Sequence, residues 1–389
     1  MSEKIIETKI CRHCQNNFVI TDKDLEFYDK ISPIFNSIKY QILTPTLCPD
    51  CRQQRRLSFR NERKLYHRKC DLSWKQIISI YSPDKPYKVY EQNEWWSDRW
   101  DPKDYGRHFD FSRWFFEQFK QLQNDVPRLS VYVDNSCVNC DFTNQVFHCK
   151  DGYLIISCSD TENCMYWKRI TESNECVDCL FCIKSSVCYE CTDILKCNSC
   201  FYVVKSINCS NSYFLSNCEW CHDCFFCVNL RNKSYCIYNK EYSKEEYYEK
   251  IKNILENRDT NYFQNEFEKF KLGFPNKNLD LKNIENVIWD NVQNAKDSQF
   301  LFDATNVENI KFWQFVQDST DLYDVDYNCC DSSLSYEVIS WWIEMYNCIF
   351  WIDIWPVVNN LIYCDACSTH SSNLFWCIWL RNSQYCILN

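Results

Sequence analysis

Four cysteines near the N-terminus have the residue type and the spacing of a metal site. Cys11 and Cys14 form one CxxC pair, and Cys48 and Cys51 form a second pair after 33 intervening residues. A CxxC turn directs both thiolates toward one point, and two such turns complete a tetrahedral zinc shell with bonds of about 2.3 Å. His13 is a possible further ligand, but four thiolates already suffice. The spacing therefore predicts one structural zinc ion on these four cysteines.

Short motifs around the two pairs resemble those of a known domain family. Phe18 follows the first pair, Glu26-Phe27-Tyr28 lies between the pairs, and the second pair reads Cys48-Pro49-x-Cys51-Arg52. The segment thereby resembles the probable zinc-ribbon family of treble-clef character, in which a glycine usually stands at the position of Gln15. The resemblance implies a small zinc-binding fold. Residues 48–119 also resemble an uncharacterised zinc-ribbon family of uncultivated small-genome bacteria, which implies no function.

A basic segment follows the second pair. Residues 52–69 carry a net charge of +7, whereas the rest of the chain carries −17. A basic helix beside a zinc site is a common nucleic-acid surface. The same cations could instead offset the negative tetrathiolate site, or dock on the acidic body or on a protein partner. The sequence predicts a basic helix that binds a protein or a nucleic acid, with these candidate residues: Arg52, Arg55, Arg56, Arg60, Arg63, Lys64, Arg68 and Lys69.

Local patterns predict the elements that position these groups. A hairpin strand is expected at residues 18–21 and a short helix at residues 22–31, between the cysteine pairs. Strands are expected at residues 76–81 and 87–90, and a helix with one apolar stripe at residues 111–124. His67 and Cys70 form an HxxC pair, but no second pair is evident that would complete another metal site.

Cysteine spacing predicts a repeat structure in the middle of the chain. Eighteen cysteines lie between Cys137 and Cys236, all separated by multiples of three residues. A fixed short period with small residues in one column is typical of a solenoid, here a narrow parallel β-helix, right-handed by the general crossover rule. The column recurs every twelve residues: Cys140, Gly152, Cys164, Cys176, Cys188, Cys200, Ser212, Cys224 and Cys236.

The state of these thiols stays open at this point. Residues 218–227 hold four cysteines at three-residue steps, as an iron–sulfur site would. The coil imposes that step everywhere, however, so it favours no cluster. Thiols packed as small buried hydrophobic groups are one alternative, and additional zinc ions on paired columns are another.

The predicted fold class is mainly β: an N-terminal zinc ribbon and a parallel β-helix-like solenoid of about 12-residue coils, interrupted by a helical hairpin. A capping box, Ser243 to Glu246, opens the hairpin. Residues 225–239 and 375–389 match at nine of fifteen positions, which indicates an internal duplication. The domains are expected at 1–70 (zinc ribbon with basic helix), 71–130 (α+β connector), 131–240 (cysteine-rich solenoid), 241–276 (helical insertion) and 277–389 (second solenoid segment).

These features favour a non-enzymatic zinc-binding scaffold or interaction protein. A protein that holds several metals or does thiol redox chemistry on the cysteine columns is an alternative, and an enzyme acting on carbohydrate at the solenoid face is another. Six scattered histidines and no recurring acidic pair argue against an enzyme. The N-terminus lacks the apolar stretch of a secretion signal, and no long apolar run occurs, so a cytoplasmic protein without a membrane span is expected.

The glycine and tryptophan counts suggest a hypothesis about the gene. The chain has only three glycines but fifteen tryptophans, whereas glycine is usually about 7% of a protein. Several tryptophans stand at predicted turns, where left-handed backbone favours glycine. These are Trp74, Trp220, Trp341, Trp342, Trp376 and Trp379. The hypothesis is that UGA codons read as glycine in the source organism are written here as tryptophan, whereas Trp95, Trp96 and Trp100 are authentic.

Overall fold

The computed structural model describes two long parts of the chain and several short strands. These are residues 4–277 except 36, 59, 60, 62, 63, 257 and 258, and residues 358–389 except 369. Between them it describes residues 281–282, 292–293, 304–305, 316–317, 323, 325 and 345–346.

The N-terminal part is a hairpin followed by two helices. Strands β1 and β2 pair antiparallel, so that Ile10 faces Asn17. The helix predicted at residues 22–31 has those bounds in the structure, and a capping box at Thr21 and Asp24 explains where it begins. The elements are β1 (Ile5–Ile10), β2 (Asn17–Thr21), α1 (Asp22–Ile31), β3 (Ile34–Phe35), β4 (Ile38–Lys39) and α2 (Pro49–Leu57).

The connector is a small α+β unit. Its first hairpin, formed by β5 (Tyr66–Lys69) and β6 (Gln76–Ser79), spans residue 70, at which a domain boundary is predicted from the sequence. Helix α4 begins at Phe115 rather than at residue 111, because Asp110 accepts the N–H of Ser112 (2.9 Å) in a preceding turn. The elements are β5 (Tyr66–Lys69), β6 (Gln76–Ser79), β7 (Val89–Tyr90), α3 (Gln92–Trp96), a 3-10 helix (Pro102–Tyr105), α4 (Phe115–Asp125) and β8 (Arg128–Leu129).

The solenoid predicted from the cysteine spacing is present as a stack of parallel strands. Successive coils pair at an offset of twelve residues: Cys188 lies in register with Cys176 and with Cys200, and Cys200 with Ser212. The strands are β9 (Val138–Asp141), β10 (Asn144–Glu162), β11 (Met165–Val177), β12 (Leu180–Ile183), β13 (Ser186–Tyr189), β14 (Thr192–Leu195), β15 (Asn198–Ile207), β16 (Ser210–Ser216), β17 (His222–Val228) and β18 (Ser234–Ile237). A short antiparallel strand, β19 (Lys240–Glu241), ends the stack.

Every third residue of this solenoid has left-handed backbone. The φ angle is positive at each third position from Asn139 to Tyr238, and most of these residues directly precede a buried one. The chain therefore turns every three residues, and a twelve-residue coil has four short sides. The interior is correspondingly narrow: Cys176, Cys188 and Cys200 are at most 2% exposed. Small side chains fill this column, whereas other inward positions of the same core hold larger ones such as Ile155, Ile170 and Leu215.

The helical hairpin covers one end of an aromatic face of the solenoid. Phe263 and Phe267 of the second helix are buried against Phe214, Phe225 and Phe226. The two helices of the predicted hairpin are α5 (Lys244–Leu255) and α6 (Thr260–Lys271), and the expected capping box lies at the start of α5. No helix among the described residues is long and apolar enough to cross a membrane.

The C-terminal part repeats the coil pattern with less regular steps. Paired residues are eleven apart at Leu281 and Val292, and thirteen apart at Val358 and Ser371. These steps lie on either side of the coil length of about 12 residues predicted from the sequence. The strands are β20 (Leu281–Lys282), β21 (Val292–Gln293), β22 (Ala304–Thr305), β23 (Val316–Gln317), β24 (Met345–Tyr346), β25 (Val358–Ile362) and β26 (Ser371–Phe375).

The internal duplication is visible in how the two copies end. The side chain of Asn239 binds the backbone N–H and C=O of Val228 (both 2.9 Å). Asn389 binds the N–H (2.7 Å) and C=O (2.8 Å) of Ile378 in the same way. Each asparagine thus supplies a donor and an acceptor that the next coil would otherwise provide.

The tryptophans named in the gene hypothesis occupy different backbone and packing environments. Four of those assigned to turns have left-handed backbone, with φ between 55° and 61°: Trp74, Trp220, Trp376 and Trp379. Trp95 is buried (1% exposed), and its indole N–H donates to the carbonyl of Pro127 (3.1 Å). Trp341 and Trp342 lie outside the described residues.

One premise of that hypothesis is wrong for this solenoid. Phe142, Tyr166 and Val187 also have positive φ, so left-handed corners here accept bulky residues. The corner side chains point away from the narrow interior, which leaves them room. Trp376 likewise has a packing partner, since its ring lies 3.6 Å from that of Phe115. The backbone cost of about 1–2 kcal/mol at each such residue remains.

Candidate metal centre

The first cysteine pair lies in the turn of the β1–β2 hairpin. The N–H of Cys11 donates to the carbonyl of Asn16 (2.9 Å), and the N–H of Gln15 donates to the carbonyl of Cys11 (3.0 Å). Gln15 has a φ of 63°. This left-handed residue closes the turn. Glycine adopts such backbone without strain, which explains why the zinc-ribbon family that this segment resembles usually has glycine at this position.

The second pair lies at the start of helix α2. Cys48 is the N-cap residue, Pro49 occupies the first turn, and Cys51 follows within that turn. Proline at this position suits a helix start because its missing N–H would be unpaired anyway. The N–H of Cys48 donates to the Sγ of Cys11 (3.3 Å), which joins the helix start to the hairpin turn. Partial positive charge at a helix N-terminus also favours thiolates there.

The four thiols form one compact group. Their Sγ atoms all lie within 4.8 Å of one another, and those of Cys14 and Cys48 are 3.6 Å apart. Bonds of about 2.3 Å in tetrahedral geometry place sulfur atoms about 3.8 Å apart, so the set fits a zinc ion. Cys14 is exposed and the other three are buried. The Nδ1 of His13 lies 3.4 Å from the Sγ of Cys51, where it contacts a ligand sulfur.

The thiols are electrostatically coupled. Burial acts to raise the pKa of Cys11, but backbone N–H groups, first that of Cys48, lower it to about 6. Burial and the neighbouring thiols raise the pKa of Cys51 to about 12. One of the four thiols therefore ionises readily, and its negative charge disfavours ionisation of the other three. A divalent cation removes this conflict, because it stabilises every thiolate at once.

Apolar side chains pack beneath the site. Phe18 and Ile20 of β2 are buried against the cysteines, with Leu47 partly buried beside them. A core this small gives little stability by itself, so metal binding would contribute much of the folding free energy of the segment.

The basic segment does not form one continuous helix. Arg52, Arg55 and Arg56 lie on α2, which ends at Leu57, and Arg68 and Lys69 lie on strand β5. The basic helix predicted to follow the zinc site is therefore shorter than residues 52–69. Arg60 and Arg63 lie outside the described residues.

Burial divides the candidate cations further. Arg52 and Arg56 are each 2% exposed and Arg68 is 9% exposed. Arg68 donates to the carboxylate of Asp71 (3.1 Å) and to the carbonyl of Tyr87 (3.1 Å), which is a structural role. The exposed cations among the described candidates are Arg55, Lys64 and Lys69.

The N-terminal module packs on a residue far along the chain. The ring of Tyr323 stacks on that of Phe27 (4.8 Å between centroids), and its hydroxyl bonds the carboxylate of Asp24. The guanidinium of Arg52 lies 5.6 Å above the same ring. No local sequence pattern indicates this contact, because Tyr323 lies 299 positions after Asp24.

The solenoid thiols act as hydrogen-bond donors. The Sγ of Cys200 donates to the carbonyls of Asn198 (3.4 Å) and Cys209 (3.5 Å), and the pattern recurs along the columns. Burial raises the pKa of Cys182 to about 11, which keeps that thiol protonated. Among the described residues, the N-terminal cysteines form the one group of three or more candidate ligands.

Comparison with known proteins identifies the N-terminal module alone. Residues 7–60 match the family described as a probable treble clef domain, and this range contains all four cysteines. The chain thus carries a treble clef with a four-cysteine cluster, as the sequence predicted. No curated protein and no solved structure matches the chain.

Proposed function

We propose that the protein is a non-enzymatic scaffold in which a zinc-bound treble clef presents a basic surface to nucleic acid. The observation that carries the proposal is the group of four thiols within 4.8 Å, held by a hairpin turn and a helix start. Such closed tetrathiolate sites are structural, because no ligand position stays open for a substrate.

The solenoid supplies the rigid part of the scaffold. Its parallel coils stack in register, and its interior thiols bond backbone carbonyls rather than facing solvent. This favours structural cysteines over the alternative of several metals or thiol redox chemistry. The alternative of a carbohydrate enzyme at the solenoid face has no supporting observation.

The exposed cations define the binding surface. Arg55, Lys64 and Lys69 are exposed, whereas Arg52 packs under Tyr323 within the chain. The treble clef is therefore anchored through one side of α2 and leaves other cations accessible. A surface of this kind binds phosphates by displacing counterions, and its affinity falls as salt increases.

Fluorescence anisotropy with RNA and DNA oligonucleotides at about 50 mM salt tests this proposal. We expect binding that weakens steeply with salt, and at least about a tenfold loss in the variant Arg55→Glu with Lys69→Glu. Lys244→Glu, on the distant helix α5, is a matched control that should bind normally. If the zinc-loaded protein binds neither nucleic acid, the surface belongs to a protein partner and the proposal fails.

A further inference from the structure

A second hairpin in the connector has the hydrogen bonds of the metal-binding hairpin. The N–H of Cys70 donates to the carbonyl of Lys75 (2.9 Å), as that of Cys11 does to Asn16 (2.9 Å). The N–H of Trp74 donates to the carbonyl of Cys70 (2.9 Å), as Gln15 does to Cys11 (3.0 Å).

The two turns also agree in backbone conformation and register. The φ angle is 61° at Trp74 and 63° at Gln15. Lys69 pairs with Gln76 in the second hairpin, and Ile10 pairs with Asn17 in the first, so both turns span the same number of residues. Ser73 consequently occupies the position that Cys14 has in the metal site.

The helix that follows completes the correspondence. Glu91 is the N-cap of α3, as Cys48 is of α2. The N–H of Glu91 donates to the Sγ of Cys70 (3.2 Å), just as the N–H of Cys48 donates to the Sγ of Cys11 (3.3 Å). The position equivalent to Cys51, three residues after the N-cap, is Glu94.

We propose that residues 66–96 are a second treble clef in which backbone N–H groups on the Sγ of Cys70 and an ion pair of Glu94 replace the metal. The four ligand positions hold Cys70, Ser73, Glu91 and Glu94. The Sγ of Cys70 accepts the N–H groups of Ser73 (3.4 Å) and Glu91 (3.2 Å). The carboxylate of Glu94 pairs with Arg99 (2.6 Å).

The work of this unit is to join the start of the first solenoid segment to the C-terminal segment. The side chain of Gln92 bonds the backbone N–H (2.7 Å) and C=O of Val133, which pairs with the first rung. At the other end, Arg381 donates to the carbonyl of Trp95 (3.0 Å), and the Trp95 ring lies 5.1 Å from that of Trp379. A joint between two solenoid segments that needs no metal stays closed when metal is scarce.

The missing cysteines explain why the second unit was not predicted from the sequence. A treble clef is recognised by its paired cysteines, and here one of four remains. His67, which forms an HxxC pair with Cys70 in the sequence, lies in strand β5 and is exposed. Lys69 of strand β5 belongs to the proposed nucleic-acid surface, but none of the four ligand positions does, so this inference does not rest on nucleic-acid binding.

Restoring the ligands tests the geometry. The full-length variant Ser73→Cys, Glu91→Cys, Glu94→Cys should bind one more zinc ion than the unmodified protein, measured by elemental analysis of purified chains. The matched variant with alanine at the same three positions should bind no additional zinc. A cysteine variant that is folded at residues 66–96 and gains no zinc would overturn the proposal.

Hydrogen exchange of the unmodified protein in the presence of a chelator is a second test, and it does not depend on whether the variants fold. The amides of Gln15 and Cys48 should lose protection when metal is removed, because their segment depends on it. Those of Trp74 and Glu91 should keep their protection. Loss of protection in both segments would show that residues 66–96 depend on metal, which contradicts the proposal.

Discussion

Cys200 is the residue at which the packing of the solenoid interior can be tested most sharply. It lies in register between Cys188 and Ser212, and it is fully buried. Its Sγ donates to the carbonyl of Asn198 (3.4 Å), and the hydroxyl of Ser212 donates to that of Ser210 (2.7 Å) in the next coil. A serine can therefore make the same hydrogen bond at this position.

Two substitutions at Cys200 should consequently differ in cost. Cys200→Ser keeps the hydrogen bond and removes only some apolar burial, so we expect a loss of about 1 kcal/mol. Cys200→Leu adds volume between coils spaced about 4.8 Å apart, and overpacking of this kind costs about 1–3 kcal/mol. Ser212→Cys, the reverse change in the neighbouring coil, is the control and should stay within about 1 kcal/mol of the unmodified protein.

Urea denaturation followed by circular dichroism measures these costs. Amide exchange at residues 186–216 should accompany it, because long repeat arrays can unfold in parts. A leucine variant as stable as the serine variant would refute the narrow interior. A loss above about 4 kcal/mol for Cys200→Ser would instead indicate a bound metal or another specific role for the thiol.

Three other changes give distinct outcomes. Asn389→Ala should lower the free energy of unfolding by about 1–2 kcal/mol, because two backbone groups of the last coil lose their partners. Asn389 also contacts the connector, so the equivalent Asn239→Ala should have the smaller effect. A larger effect of Asn239→Ala would contradict a stabilising role for that added contact. Phe267→Ala should cost about 3–5 kcal/mol and expose the helical hairpin to proteolysis; unchanged cleavage would show that the hairpin is held elsewhere. The coding DNA should carry UGA at Trp74 and UGG at Trp95, and UGG at both would end the hypothesis of reassigned codons.

The features predicted correctly from the sequence are those whose residue spacing is compatible with only one kind of structure. Two CxxC pairs can bring four thiols together in few ways, and the site has the predicted members. The column containing Cys188 follows from its period, because only stacked coils of equal length align such residues. The helix at residues 22–31 was also predictable, since its capping box lies in the sequence beside the apolar positions that it buries.

The rest depends on contacts that no local pattern encodes. Arg52 and Arg56 were counted with the solvent-facing cations, yet folding buries both. Tyr323 has no distinguishing feature until the treble clef packs on it. The second treble clef was not predicted from the sequence. Its backbone hydrogen bonds define it, and any residue type can make such bonds, so side chains such as Ser73 do not indicate it.

The metal content of the purified protein tests the central claim most directly. Full-length protein prepared without added metal should contain one zinc ion per chain. The variant Cys48→Ser with Cys51→Ser should contain none and should lose the fold of residues 7–60, while the solenoid keeps its circular dichroism because its coils depend on their neighbours. Full retention of zinc in that variant, or several metal ions in the unmodified chain, would contradict the account.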